Sequence, residues 1–168
     1  MKLMLFYLMF IIGLSIFSAE IKGICDKVID GDTIILKDGN DKFKVRFADI
    51  DAPEISQDFG QNSKDYLISL IQGKYLIVEF HEIDMYGRII GTLTLFKKYR
   101  LLYFKDDISV NEMMVKNGYA WWFKDYSKNK EFEKFEYEAK INKKGLWKNE
   151  QCIPPWEYRK IKRKIKNK

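Results

Sequence analysis

"KFKVRFADIDAPEISQDFGQNSKDYLISLI", residues 42–71, changes its period half-way along. Up to Ile50 polar and apolar side chains alternate, as they do in a strand with one buried face. Pro53 has no N–H to give to a ladder and closes the strand. From Phe59 the period lengthens: Tyr66, Leu67, Leu70 and Ile71 recur at helical spacing, and Gly73 follows as a stop. A helix therefore follows whatever strands precede it, and the number of those strands fixes the architecture.

Upstream, "VIDGDTIIL" (28–36) has β-branched runs on either side of Asp30-Gly31, a favoured dipeptide for a two-residue hairpin turn. Two strands from Ile21 to about Leu36 thus precede the strand at 42–50. Downstream, "KYLIVEFHEID" and "RIIGTLTLF" read as two more strands around a turn at Tyr86-Gly87, and "LLYF" (101–104) extends that sheet. Ser109 with Glu112 forms a capping-box signature for a short helix ending at Gly118. A third helix is expected from about Lys128 to Lys144, with Phe132, Phe135 and Ala139 on one face and Gly145 as its stop. Five strands with a helix after the third is the order of an OB-fold, so the expected class is α+β: a five-stranded OB-type β-barrel with three α-helices.

The chain of 168 residues, 46% hydrophobic and 15% aromatic, is long enough for one domain with a proper core. Residues 1–19 stand apart: Lys2, an apolar run from Leu3 to about Phe17, then Ser18 and Ala19 have the layout of a secretory signal. An uncleaved anchor is the alternative, with membrane association through this segment; either way the folded part, residues 20–155, is expected to be exported. The net charge of +6 comes from the end of the chain, where residues 156–168 carry seven Lys or Arg against one acid. Such a basic tail attracts polyanions, or is simply a solvated terminus. Cys25 and Cys152 form an isolated pair, which an oxidising compartment bridges or leaves as two buried thiols; the sequence leaves both open.

His81 is the only histidine, which excludes every mechanism that needs two imidazoles, and its alternating strand context gives it a structural or surface role. No nucleophile elbow and no Walker loop is present. Carboxylates and arginines remain. Asp30 and Asp32 flank the first turn, Asp49, Asp51 and Glu54 end the third strand, and Asp84 and Arg88 flank the turn before the fifth. In a meander, these ends can converge at one mouth of the barrel. Asp32 and Asp51 would then offer a hard-oxygen site suited to Ca2+, completed by a backbone carbonyl and waters. Arg46 and Arg88 would supply guanidinium forks to a phosphodiester, and Glu54 could take a proton from water. Each piece has a plainer reading, since a DGD run is usually just a turn and DAPE just a strand stop. Their order at successive strand ends is what points to a site.

At this point "VIDGDT", "RFADIDAPE", "DMYGR", "VNEMMVKNGYAWW", and "GLW" followed by "PPWEYRK", taken in order, resemble the thermonuclease, or staphylococcal nuclease-like, family. The resemblance implies calcium-dependent hydrolysis of DNA and RNA to 3′-phosphorylated products, with single strands favoured and a monomeric enzyme. It makes Asp32 and Asp51 the side-chain metal ligands, Ala52 a ligand through its carbonyl, Arg46 and Arg88 the phosphate-holding groups, and Glu54 the general base. Tyr86, Trp122 and Tyr126 become the aromatics expected near the nucleotide, with Phe123 a further candidate; which of Trp122, Phe123 and Tyr126 lines the site stays open. Ala52 stands where the family often has Thr, and Met85 where it often has a basic residue. A noncatalytic OB-fold nucleic-acid-binding module is the competing reading; a pure binder would have no reason to keep Asp32, Arg46, Asp51, Glu54 and Arg88 together.

Overall fold

The computed structural model describes residues 19–96, 109–149 and 151–167. The segment read as a signal, up to residue 18, and the LLYF extension lie outside them. Among the described residues no helix is long and apolar enough to cross a membrane.

Strands β1 (Ala19–Val28), β2 (Thr33–Asp38), β3 (Asp41–Phe47), β5 (Tyr75–Ile83) and β6 (Ile89–Leu95) close into a barrel in the order β1-β2-β3-β6-β5. The short strand β4 (Ile50–Asp51) pairs outside the barrel with β7 (Trp121–Trp122). Among the described strands only β3 and β6 run parallel, and this pairing closes the barrel across the helix inserted after the third barrel strand. Alternation in the strands supplies the interior: Ile34, Leu36, Val45, Phe47, Leu76, Val78 and Leu93 are all buried.

Helix α1 (Gly60–Ile71) covers one end of the barrel with Leu67 and Ile71, two of the four side chains expected on its apolar face. Gly73 stops it with a positive φ, and its N–H bonds the Cys25 carbonyl at a bulge in β1. Helix α2 (Val110–Lys116) begins as the capping signature requires, with the Ser109 hydroxyl accepting the Glu112 N–H at 3.1 Å. Helix α3 (Glu131–Ile141) is shorter than the 128–144 expected; it packs on α2, and its buried side chains are Phe132 and Ala139. A 3-10 turn follows at Gly145–Lys148.

One expectation needs correcting in number. The basic tail is not a loose end but a fourth helix, α4 (Pro155–Lys166), begun by a proline at its first position, where a missing N–H costs nothing. A second correction concerns Gly31. It does not adopt positive φ, so it is not there for a mirror-image hairpin turn. A Cβ at this position would lie 2.0 Å from Ser63 Oγ and 2.7 Å from Ala52 Cβ. Glycine is required because α1 and β4 press directly on the turn that carries Asp32. Cys25 and Cys152 are both free thiols, one buried in the barrel wall and the other half-buried beside the approach to α4, so the pair is not bridged in this structure.

Buried Asn111 ties the layers together. Its Oδ1 accepts the Leu93 N–H at 3.1 Å, and its Nδ2 donates to the carbonyls of Ala48 and Gly91 at 2.9 and 3.2 Å. One side chain from α2 thereby fixes the far end of the parallel β3–β6 pair, the point from which the chain turns into the acidic stretch.

Candidate active site

The register of the barrel does the assembling. Thr33 on β2 faces Arg46 on β3, and Arg46 faces Ile90 on β6. Asp32 and Arg88, lying just before Thr33 and Ile89, are thus brought to either side of Arg46. Asp51 arrives through β4, which turns back because Asp49 adopts φ 66° and offers its carbonyl to the Phe123 N–H at 2.8 Å. Asp49, unassigned by sequence, is therefore a backbone corner, a role that suits a short polar side chain.

Together these residues line an open cavity of about 640 Å³ that holds Asp32, Arg46, Asp51, Ala52, Glu54, Tyr86, Arg88 and Tyr126. Arg46 lies between the two buried carboxylates, with Nη1 3.1 Å from Asp32 Oδ2 and Nη2 2.8 Å from Asp51 Oδ1. Asp32 Oδ2 also accepts the Ala52 N–H at 2.6 Å, and its Oδ1 accepts the Thr33 hydroxyl at 3.0 Å. Burial pushes the Asp32 carboxyl up to about 7, with Arg46 pulling it down and Asp30 adding to the rise. Burial likewise raises Asp51, against the opposing pull of Arg159 and Arg46. Asp30, whose Oδ1 accepts the Asp32 N–H at 3.0 Å, shapes the turn.

Arg88 is held differently. Asp84 binds its Nε at 2.7 Å and its backbone N–H at 2.9 Å, across a turn whose Gly87 has φ 74°. At Asp84 the upward push of burial is outweighed by these bonds and by the Tyr86 N–H, so the carboxyl stays below its ordinary value. Tyr86 and Tyr126 stand at the rim with 77% and 79% of their surface exposed, available for stacking. Trp122 is not with them. Its parity on β7 turns it into a separate groove with Glu136, Lys140 and Trp156, and its backbone N–H donates to Glu136 Oε1 at 3.1 Å. Phe123 takes the cavity position instead, its ring 4.4 Å from that of Tyr126. His81 sits exposed at a β5 bulge, away from the cavity.

Sequence reasoning missed one group altogether. Arg159 reaches in from α4, giving Nη2 to Asp51 Oδ2 at 2.7 Å, and Nη1 to Glu54 Oε1 at 2.8 Å and Asp51 Oδ1 at 3.3 Å. Burial works against its charge, but the bonds to Asp51 and Glu54 outweigh it and hold the guanidinium firmly protonated. The available signals were the density of cations after Trp156 and the proline that starts a helix there; neither says where the helix lies.

Among the described residues no three His, Cys, Asp or Glu side chains form a ready-made metal cage. The site offers instead two buried carboxylates close enough to share one guanidinium, both raised by desolvation. This hard-oxygen pair, whose charge Arg46 and Arg159 neutralise here, fits a hard dication that keeps waters and a carbonyl in its shell.

A family model described as staphylococcal nuclease homologue matches residues 44–149. The chain belongs to that family. A protein named "Uncharacterized endonuclease" from Escherichia coli is 36% identical over 151 residues, covering 90% of this chain and 93% of its own. "Micrococcal nuclease" from Shigella flexneri is 32% identical over 155 residues, covering 89% and 86%. "Staphylococcal-like nuclease CAN1" from Arabidopsis thaliana is 36% identical over 122 residues, 73% of this chain and 35% of the plant protein. The protein is thus a nuclease-class hydrolase.

Proposed function

We propose that the protein is a calcium-dependent, sugar-nonspecific nuclease that cleaves DNA and RNA strands to 3′-phosphorylated products. The observation that carries the proposal is the meeting of Asp32, Arg46, Asp51, Glu54 and Arg88, from four separate segments, around one cavity. Asp32, Asp51 and the Ala52 carbonyl would hold the Ca2+, which when bound supplies positive charge against a phosphate oxygen.

The rest is work for side chains. Arg46 and Arg88 offer forked donors to the nonbridging oxygens, where charge grows as phosphorus becomes five-coordinate. Glu54 has a 42% exposed side chain, so a water can reach it, lose a proton to it and attack phosphorus. For the product to keep a 3′-phosphate, the bond that breaks joins phosphorus to the 5′ oxygen. These contacts address the phosphate, which DNA and RNA share, and this accounts for indifference to the sugar. Exposed Tyr86 and Tyr126 at the rim can stack unpaired bases, which favours single strands. We assign residues 1–19 as a secretory signal or retained anchor, so that a monomeric enzyme works outside the cytoplasm; mass measurement of the exported protein tests the cleavage.

Glu54→Gln, which keeps the shape and removes the base, should slow turnover by about 10²–10⁴ while preserving calcium-supported oligonucleotide binding. Cleavage at the wild-type rate by Glu54→Gln would contradict the assignment.

A further inference from the structure

In the described structure Asp51 has no free oxygen. Oδ1 takes Arg46 and Arg159, and Oδ2 takes Arg159. Glu54 is engaged by the same guanidinium. The two carboxylates that the functional reading gives to cation binding and water activation are thus bridged by one side chain from α4. While it stays there it competes with a cation for Asp51 and occupies one oxygen of Glu54. We infer that Arg159 is a phosphate-binding residue of the nuclease site, parked on Asp51 and Glu54 in the free protein and transferred to the phosphodiester when the cation takes Asp51. The inference rests on the functional reading above.

Three observations support an exchange over a permanent pair. First, Asp51 already holds two guanidiniums, and a dication there would add a further like charge; Arg159, at 36% exposure against 13% for Arg46, is the one with room to leave. Second, α4 is anchored independently of the carboxylates. The Tyr158 hydroxyl donates to the Ser56 carbonyl at 2.7 Å, Trp156 stacks on Phe123 at 5.4 Å with 12° between planes, and the Gln57 amide donates to the Ile153 carbonyl. Only the Arg159 side chain need move, within a cavity it already lines and at 36% exposure. Third, a phosphate presents the same planar pair of acceptors to a guanidinium as a carboxylate does. Lys162, 2.8 Å from Ser56 Oγ, lies one helical turn further along and extends the cationic row beside the same loop.

The test uses two binding readouts on the purified protein. Calorimetric titration with Ca2+ in the absence of nucleic acid should show Arg159→Gln binding the cation at least tenfold more tightly than wild type, since its competitor is gone. In the Glu54→Gln background, with saturating Ca2+, fluorescence anisotropy of a labelled single-stranded oligodeoxynucleotide should show Arg159→Gln at least tenfold weaker. Arg159→Lys, which keeps the charge but not the fork, should fall between. Cation affinity unchanged or weakened in Arg159→Gln would overturn the inference. So would a tighter cation with undiminished oligonucleotide binding, because Arg159 would then be a competitor that never meets substrate. Failure of the underlying functional reading would look different: wild-type protein would bind no oligonucleotide in response to Ca2+, or the Glu54→Gln protein would still cleave it.

Discussion

Two arginines are given the same chemical duty, yet the structure embeds them so differently that substituting each should cost very different amounts of stability. Arg46 is 13% exposed and joins carboxylates only 7% and 2% exposed, at 3.1 and 2.8 Å; its Nη1 also bonds the Phe47 carbonyl at 3.1 Å. Removing one partner of such a buried set costs about 3–5 kcal/mol. The lower end applies at neutral pH, because Asp32, already pushed up to about 7, escapes part of the penalty by taking a proton. In chelator, Arg46→Gln should therefore lose about 3 kcal/mol, a fall in Tm of about 6–12 °C for a domain of this size. The deficit has a definite pH sign. With the Asp32 folded pKa raised above its unfolded value, the native state holds the extra proton between pH ~4 and ~7, so stability falls as pH rises through that window. Lowering the pH to 5 should shrink the deficit. Adding Ca2+ at a hundred times its Kd should return about 2.7 kcal/mol. Arg88, with Asp84 as its ion-pair partner and 29% exposed, should cost under about 1 kcal/mol as Arg88→Gln. Both variants should nevertheless lose about 10²–10³ in kcat. Thermal melts followed by circular dichroism, with and without chelator, supply the readout. A Tm shift below 2 °C for Arg46→Gln in chelator, or equal shifts for the two variants, would refute this reasoning.

Three further outcomes follow from the packing. Asn111→Ala strips hydrogen bonds from the Leu93 N–H, the buried Gly91 carbonyl and the part-buried Ala48 carbonyl, and should cost about 3 kcal/mol in urea unfolding; a loss under 1 kcal/mol would contradict its role as the tie between α2 and the barrel. Gly31→Ala drives a methyl into Ser63 and Ala52, and should cost about 1–3 kcal/mol and lower activity by displacing Asp32, so an unaffected enzyme would argue against the close approach. Burial raises the Cys25 thiol to about 11, so native protein at pH 8 should be alkylated at half-buried Cys152 well before Cys25, as peptide mass mapping would show; the reverse order would place Cys25 outside the core.

What was legible in the sequence was local or periodic. The apolar repeat of α1, the Ser109 cap of α2 and the alternation in β3 are written within a few residues of where they act, and the structure carries each of them. The convergence of Asp32, Arg46 and Arg88 was readable too, because strand order together with turn positions fixes which ends meet. Gly31 was misread because a turn and a close contact both call for glycine, and only the position of Ser63 distinguishes them. Trp122 was placed at the nucleotide because one residue of parity in a two-residue strand decides its face, and no pattern that short encodes it. Arg159 was invisible for a different reason. Its partners lie 105 and 108 positions away, and a run of cations looks the same whether it is solvated or docked on carboxylates.

The most direct measurement is cleavage of labelled single-stranded DNA and RNA by the purified residues 20–168, with Ca2+ and then with excess chelator. Both substrates should give 3′-phosphorylated fragments with Ca2+, and cleavage should be lost in chelator and return when Ca2+ is restored. Undiminished cleavage in chelator would contradict it.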